Sequence, residues 1–185
     1  NVLSAEVLDQ LSQQLDALSA ELPTGVVFRS GKSSGFIAGA DISEFLQISS
    51  ESDALAMIER GQQLYTRIEQ LPCPTLALIE GFCMGGGTEL ALACDYRIAL
   101  DDPSTKIGLP EVKLGIHPGY GGVVRLTRMV NPLKSLEFML TGRNLNARQA
   151  QKMGLIDLAQ PARQIENAAR QLIMAAPEAR QMDSL

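Results

Sequence analysis

Three consecutive glycines, Gly85-Gly86-Gly87, stand two residues before a carboxylate, Glu89, and a second carboxylate follows a proline at Pro110-Glu111. Successive glycines let a backbone approach a ligand closely and leave N–H groups pointing outward. The helix that the run opens adds the positive end of its dipole. That is the chemistry of a backbone site for an anion or oxyanion. A tight turn with close helix–strand packing uses the same residues, and the glycines alone weigh the two equally. Glu89 taken alone is an acidic helix start, worth a few tenths to about 1 kcal/mol. Glu111 taken alone is an ordinary exposed acid. Two carboxylates beside a backbone oxyanion site, however, are what water addition or proton transfer next to a carbonyl requires. A second backbone site is offered by Ala38-Gly39-Ala40-Asp41-Ile42, where Ala40 precedes a short helix with free first N–H groups. Asp41, taken alone, is the cap of that helix.

Other chemistries fit less well. Gly81, Gly86 and Thr88 match the frame of a phosphate-binding G-x-x-x-x-G-K-[ST] loop, but position 87 is Gly, so no Lys reaches a terminal phosphate. The last Gly of a dinucleotide fingerprint is absent, since Thr88, Glu89 and Leu90 stand there. There is no G-x-S-x-G elbow. The single histidine, His117, lies in a Gly/Pro loop, where a solvent-facing or packing role is favoured over membership of a triad. Cys73, Cys83 and Cys94 form no C-x-x-C pair, which excludes a Cys/His zinc site of usual spacing. Their odd, sparse count argues against a disulfide framework and suits a reducing compartment.

These residues need a scaffold, and the composition supplies one. The chain has 185 residues, 45% hydrophobic and 20% charged, enough to bury a core. Sixteen Lys and Arg against 21 Asp and Glu leave a net charge of −5, which argues against a general nucleic-acid binder. No apolar run approaches the roughly 20 residues of a membrane span, and no signal peptide opens the chain. Apolar spacing and a Ser4 cap predict a helix over 4–22, closed by Pro23 and Gly25. Residues 26–28 predict a short buried strand and 31–39 a Gly/Ser loop. A helix over 52–71 precedes a strand at 75–79 buried on both faces. A helix at 89–93 and a strand at 96–99 follow. Leu133, Leu136, Met139 and Leu140 mark a further helix, and Asn146 caps another that ends at Gly154. A strand at 155–158 and a helix at 164–175 complete the pattern. Strand–helix alternation points to α/β layering.

Taken in order, Ala38-Gly39-Ala40-Asp41, then Gly85-Gly86-Gly87-x-Glu89-Leu90 with Ala93-Cys94-Asp95, then Pro110-Glu111, then Leu114-Gly115 through Pro118-Gly119-x-Gly121-Gly122, resemble the crotonase (enoyl-CoA hydratase/isomerase) superfamily. The likeness runs over residues 2–158 and is continued by Leu140-Thr141-Gly142 and by Ala150 through Gly154-Leu155-Ile156. The resemblance implies an α/β fold of the spiral ββα superhelix type and acyl-CoA thioester substrates. No cofactor is implied, since CoA is part of the substrate, and no metal is called for. The N–H groups of Ala40 and Gly86 would form the oxyanion hole, with Glu89 and Glu111 as catalytic acids. The CoA tail would lie over Ala38, Ala40, Asp41, Ile42 and Ser43, with Gly86 completing the substrate-binding set. Because both acids are present, the resemblance favours hydration of a trans-2-enoyl-CoA over dehalogenase, hydrolase or decarboxylase chemistry, with enoyl-CoA isomerase activity beside it.

The loop Asp101-Asp102-Pro103-Ser104-Thr105 and the stretch 125–142 are most similar to the hydratase part of multifunctional fatty-acid oxidation proteins. That similarity implies β-oxidation, and an oligomer or a complex with a thiolase subunit. The acidic balance leads us to expect no nucleic-acid partner, and the lack of anything resembling a transit peptide a cytoplasmic location. The start at Asn1 and the stop before the family's C-terminal helices lead us to expect a single crotonase-type domain, 1–185, truncated at both ends. The competing expectation is a non-catalytic acyl-CoA-binding or structural fragment of a larger complex.

Overall fold

The first six strands alternate between two sheets, and this alternation places the glycine turns. The computed structural model describes residues 1–45 and 47–175. Its elements are α1 (Ala5–Ala20), β1 (Val26–Phe28), β2 (Gly35–Ile37), α2 (Ile42–Phe45), α3 (Glu51–Glu69), β3 (Thr75–Ile79), β4 (Phe82–Met84) and α4 (Gly86–Ala93). There follow β5 (Tyr96–Leu100), β6 (Lys106–Gly108), a 3-10 turn (Glu111–Leu114), α5 (Gly122–Met129), α6 (Pro132–Thr141), β7 (Asn144–Leu145), α7 (Ala147–Met153), β8 (Leu158–Gln160) and α8 (Ala162–Ala175). One sheet has the order β1-β3-β5-β8, all parallel. The other has the order β2-β4-β6-β7, with only β7 antiparallel. Each β-β-α turn therefore adds one strand to each sheet, which is the ββα spiral that the resemblance implied.

The local chemistry explains the elements. The Ser4 hydroxyl accepts from the Val7 N–H and caps α1, whose Leu8 and Leu15 are buried. Every residue of β3 is buried, as expected of a parallel strand covered on both faces. Each Leu or Ile there contributes about 1.5–3 kcal/mol of burial. At the end of α4 the Asp95 carboxylate accepts from the Thr75 N–H and hydroxyl, locking helix to strand. The buried Arg97 guanidinium donates to the Ala91, Cys94 and Asp95 carbonyls and pairs with Asp157. A cation satisfying the last carbonyls of a helix also meets its negative dipole end.

Several expectations need correction. β1 is an edge strand, and Val27 is exposed rather than buried. The segment 31–39, expected as a loop, contains β2, and β4 and β6 are equally short strands among glycines. Strands of three residues carry too few side chains to show a period. The last strand is Leu158–Gln160, not 155–158: Gly154 turns left-handed, and Leu155 and Ile156 pack into the core behind it. On α6, Leu133, Leu136 and Leu140 face outward, while Phe138 and Ser135 are buried.

Candidate active site

The three parallel strands β2, β4 and β6 end side by side, with Met84 level with Gly108 and Cys83 level with Ile37. The residues immediately beyond their C-terminal ends therefore meet: Ala38-Gly39-Ala40 after β2, Gly85-Gly86 after β4, and Glu111 after β6. The carboxyl edge of parallel strands is the usual place for ligands in α/β sheets.

Gly85 makes the reversal from β4 into α4. Its φ of 52° and ψ of −124° are open only to glycine, and its N–H donates to the Gly108 carbonyl at 3.0 Å. The Thr88 hydroxyl sits 2.8 Å from the carbonyl oxygens of both Cys83 and Gly108. These bonds fasten the start of α4 to the end of β6. A Cβ on Gly85 would stand 3.1 Å from Glu111 Oε1 and 3.7 Å from Gly39 Cα, so the three segments touch at this point.

Ala40 is held by Leu3. The Leu3 N–H donates to the Gly39 carbonyl, and the Asp41 N–H donates to the Leu3 carbonyl. In such a parallel bridge the intervening N–H, that of Ala40, faces away from Leu3. The Leu3 side chain packs against Gly86, 2.9 Å from where a Cβ would stand. Neither the Ala40 nor the Gly86 N–H donates to any acceptor among the described residues. The Gly86 carbonyl, by contrast, accepts from the buried Tyr65 hydroxyl at 2.8 Å.

Glu89, one turn into α4, is buried. Its Oε1 accepts from the N–H groups of Tyr120 and Gly122, each at 2.8 Å. Burial pushes its carboxyl up to about 7; the Gly122 and Tyr120 N–H groups and Arg125 oppose this, and the Glu111 charge adds to it. Burial also raises Glu111, against its own backbone N–H and His117. Glu111 Oε2 is buried without a hydrogen-bond partner among the described residues. Two raised carboxyl groups that feel each other's charge titrate as a coupled pair, ionisation of one opposing ionisation of the other.

Such an arrangement can polarise a carbonyl on two backbone N–H groups, withdraw a proton and supply one. A profile of the enoyl-CoA hydratase/isomerase family matches residues 1–182. The chain belongs to the enoyl-CoA hydratase/isomerase family. Among its relatives, the fatty acid oxidation complex subunit alpha of Aliivibrio fischeri is 48% identical over 163 residues, or 87% of this chain. The chain spans only 24% of that relative's length. Solved family members agree in fold. An enoyl-CoA hydratase from Bacillus anthracis superposes with TM-score 0.84 at 33% identity, covering 94% of this chain and 67% of its own. One from Thermoplasma volcanium does so with TM-score 0.86 at 31% identity, covering 95% and 68%.

The rim of this candidate site is partly engaged in its own hydrogen bonds. Asp41 Oδ1 accepts from the Ser43 N–H and hydroxyl, so its side chain caps α2, the bland role open to it from the start. The Ser43 hydroxyl holds the Asp41 carboxyl below its usual range. Glu44 accepts from the Ala5 N–H and ties this loop to α1. Ala38, Ile42 and Ser43 are exposed on the same loop. His117 is exposed, with Nδ1 3.1 Å from the Pro118 carbonyl.

Sequence reasoning missed the supporting residues: Leu3, Tyr65, Tyr120 and the Arg125–Glu69 pair. The signal was present in α3, where Gly61, Tyr65 and Glu69 recur four residues apart and share one helix face. No described helix is long and apolar enough to cross a membrane.

Proposed function

We propose that this chain carries an enoyl-CoA hydratase site that adds water to a trans-2-enoyl-CoA, giving the 3-hydroxyacyl-CoA in fatty-acid β-oxidation. The observation that carries the reading is that buried Glu111 reaches Gly85 at the strand ends, its charge acts on buried Glu89, and the Ala40 and Gly86 N–H groups beside them have no acceptor among the described residues.

In this reading the thioester oxygen accepts from the Ala40 and Gly86 N–H groups, at the positive end of α4. Charge develops on that oxygen as water adds at C3, and each such donor lowers the barrier by about 3–4 kcal/mol. We assign proton abstraction to Glu89 in its ionised form, which prevails above about 7 and which the Tyr120 and Gly122 N–H groups hold in place. It takes a proton from water while the remaining hydroxide bonds to C3. The C2–C3 π electrons pass to the thioester as an enolate. Glu111, acting in its protonated form, which burial favours, returns a proton to C2 as the enolate collapses. One water is consumed, and proton exchange between the pair and solvent restores both groups. The same two groups would move a 3-enoyl double bond to position 2, which is the isomerase activity. The CoA tail lies over Ala38 to Ser43, and the reaction needs no cofactor beyond the CoA of the substrate. The similarity to a fatty acid oxidation complex subunit supports membership of a complex, for which a thiolase subunit as partner and a cytoplasmic setting are part of the proposal.

Loss of enoyl-thioester absorbance on mixing with crotonyl-CoA tests the activity. Glu111→Gln should lower turnover by about 10²–10⁴-fold while acyl-CoA binding persists. Binding without turnover in the unaltered protein, or unchanged turnover in the variant, would overturn this reading.

A further inference from the structure

The N–H groups that hold Glu89 are themselves held from behind. Tyr120 N–H and Gly122 N–H flank the peptide unit that carries the Tyr120 carbonyl. That carbonyl points the other way and accepts from Arg125 Nη1 at 2.9 Å. Arg125 Nε and Nη2 in turn donate to Glu69 Oε2 at 3.2 and 2.8 Å. The Arg125 side chain is 7% exposed and that of Glu69 29%. The turn is shaped to this guanidinium. Gly121 has φ +94°, and a Cβ there would lie 2.3 Å from Arg125 Nη1. A Cβ on Gly122 would lie 2.6 Å from Glu89 Cγ. The left-handed residue between two N–H groups makes them converge on one acceptor.

The support reaches further along α3. Gly61 leaves room for the Tyr120 ring, whose carbons come within 2.3 Å of a Cβ position. Tyr65 meets that ring edge-on, with centroids 5.5 Å apart, and its hydroxyl holds the Gly86 carbonyl. Glu69, the third residue on this face, holds Arg125. One helix face thus backs both the Glu89 clamp and the turn that presents the Gly86 N–H.

We propose that the Arg125–Glu69 pair is a positioning device for Glu89: by gripping the Tyr120 carbonyl it keeps the two neighbouring N–H groups aimed at one carboxylate oxygen. Arg125 is a positioning residue, since it touches the clamp rather than any reacting atom. Its kinetic consequence rests on the hydratase reading, but the geometric claim does not.

The test therefore has two arms. In the first, Arg125→Met should lower kcat for crotonyl-CoA roughly 10–100-fold, the scale of an ångström-size misplacement, with KM little changed. Arg125→Lys, a single point donor, should recover part of the loss. In the second arm, the Glu89 carboxyl is followed by carbon NMR in protein labelled at glutamate, its signal assigned by its absence in Glu89→Gln. The titratable or charged groups facing Glu89 are Glu111, Tyr65, Tyr120 and Arg125, and only Arg125 is a cation. Its midpoint should move to higher pH in Arg125→Met, as the N–H grip loosens and the cation is lost. Glu69→Gln, which leaves Arg125 in place with a weaker anchor, should move it the same way by less. If Arg125→Met does not fold, Arg125→Lys and Glu69→Gln decide by the same readouts. A Glu89 titration unchanged in folded variants overturns the proposal, even if thermal stability falls. If the unaltered protein does not hydrate crotonyl-CoA, the functional reading fails while the titration still decides the positioning.

Discussion

Replacing Glu89 with Gln separates what the carboxylate does for chemistry from what it does to stability. The side chain is buried, and its carboxyl is raised from 4.5 to about 7. At about 1.4 kcal/mol per pH unit, that rise corresponds to about 3 kcal/mol. The direction follows from proton counting. Between the unfolded and folded values the native protein holds the proton and the unfolded chain does not. Stability is therefore complete below pH 4.5, falls as pH rises, and levels off above about 7. The substituted amide keeps an oxygen for the Tyr120 and Gly122 N–H groups but has no proton to lose. Urea unfolding followed by circular dichroism should show Glu89→Gln to be more stable than the parent at pH 8, by up to about 3 kcal/mol. The difference should shrink toward zero near pH 4.5. Glu111 is raised in the same direction, and because it is coupled to Glu89 its own ionisation becomes easier in the variant, which adds to the difference at high pH. The same variant should lose about 10²–10⁴-fold in hydration of crotonyl-CoA. Parallel stability–pH curves for the two proteins would refute the reasoning, because the buried charge would then carry no folding penalty.

Two further predictions concern the turn and the thiols. Gly85→Ala should destabilise the fold by about 1–3 kcal/mol in urea unfolding, since it forces a side chain into a positive φ. It should also depress turnover, because its Cβ would crowd Glu111 Oε1 at 3.1 Å; a variant with parental stability and activity would place the strain elsewhere. Burial pushes the thiols of Cys83 and Cys94 up to about 12, whereas Cys73 is only partly buried. A disulfide-exchange reagent at pH 7.5 should therefore titrate Cys73 alone in native protein and all three thiols in urea. Rapid labelling of all three without denaturant would contradict the packing of α4 on β3 and β5.

The sequence names two candidate acids but not the residues packed behind them. Glu89 and Glu111 were nameable because both acids sit in local contexts, a helix start and a residue after proline, that are dull singly and informative as a pair. Arg125 and Glu69 lie on different helices and meet only through packing: the spacing in α3 puts Glu69 on one face with Gly61 and Tyr65 but names no partner for it. Asp41 shows the opposite case: a residue expected in the substrate-binding set whose side chain is engaged in capping α2.

What the chain determines by itself is local. Glycine at position 85 permits the reversal, Ser4 and Asn146 cap their helices, and the apolar run Thr75–Ile79 must be buried. Tertiary structure decided which of these points face one another and in what charge state. Parallel pairing of β2, β4 and β6 brings three distant turns to one edge, and burial there raises both carboxyl groups. The reason is that backbone conformation follows from neighbours in the chain, whereas register and desolvation depend on everything packed around a residue in space.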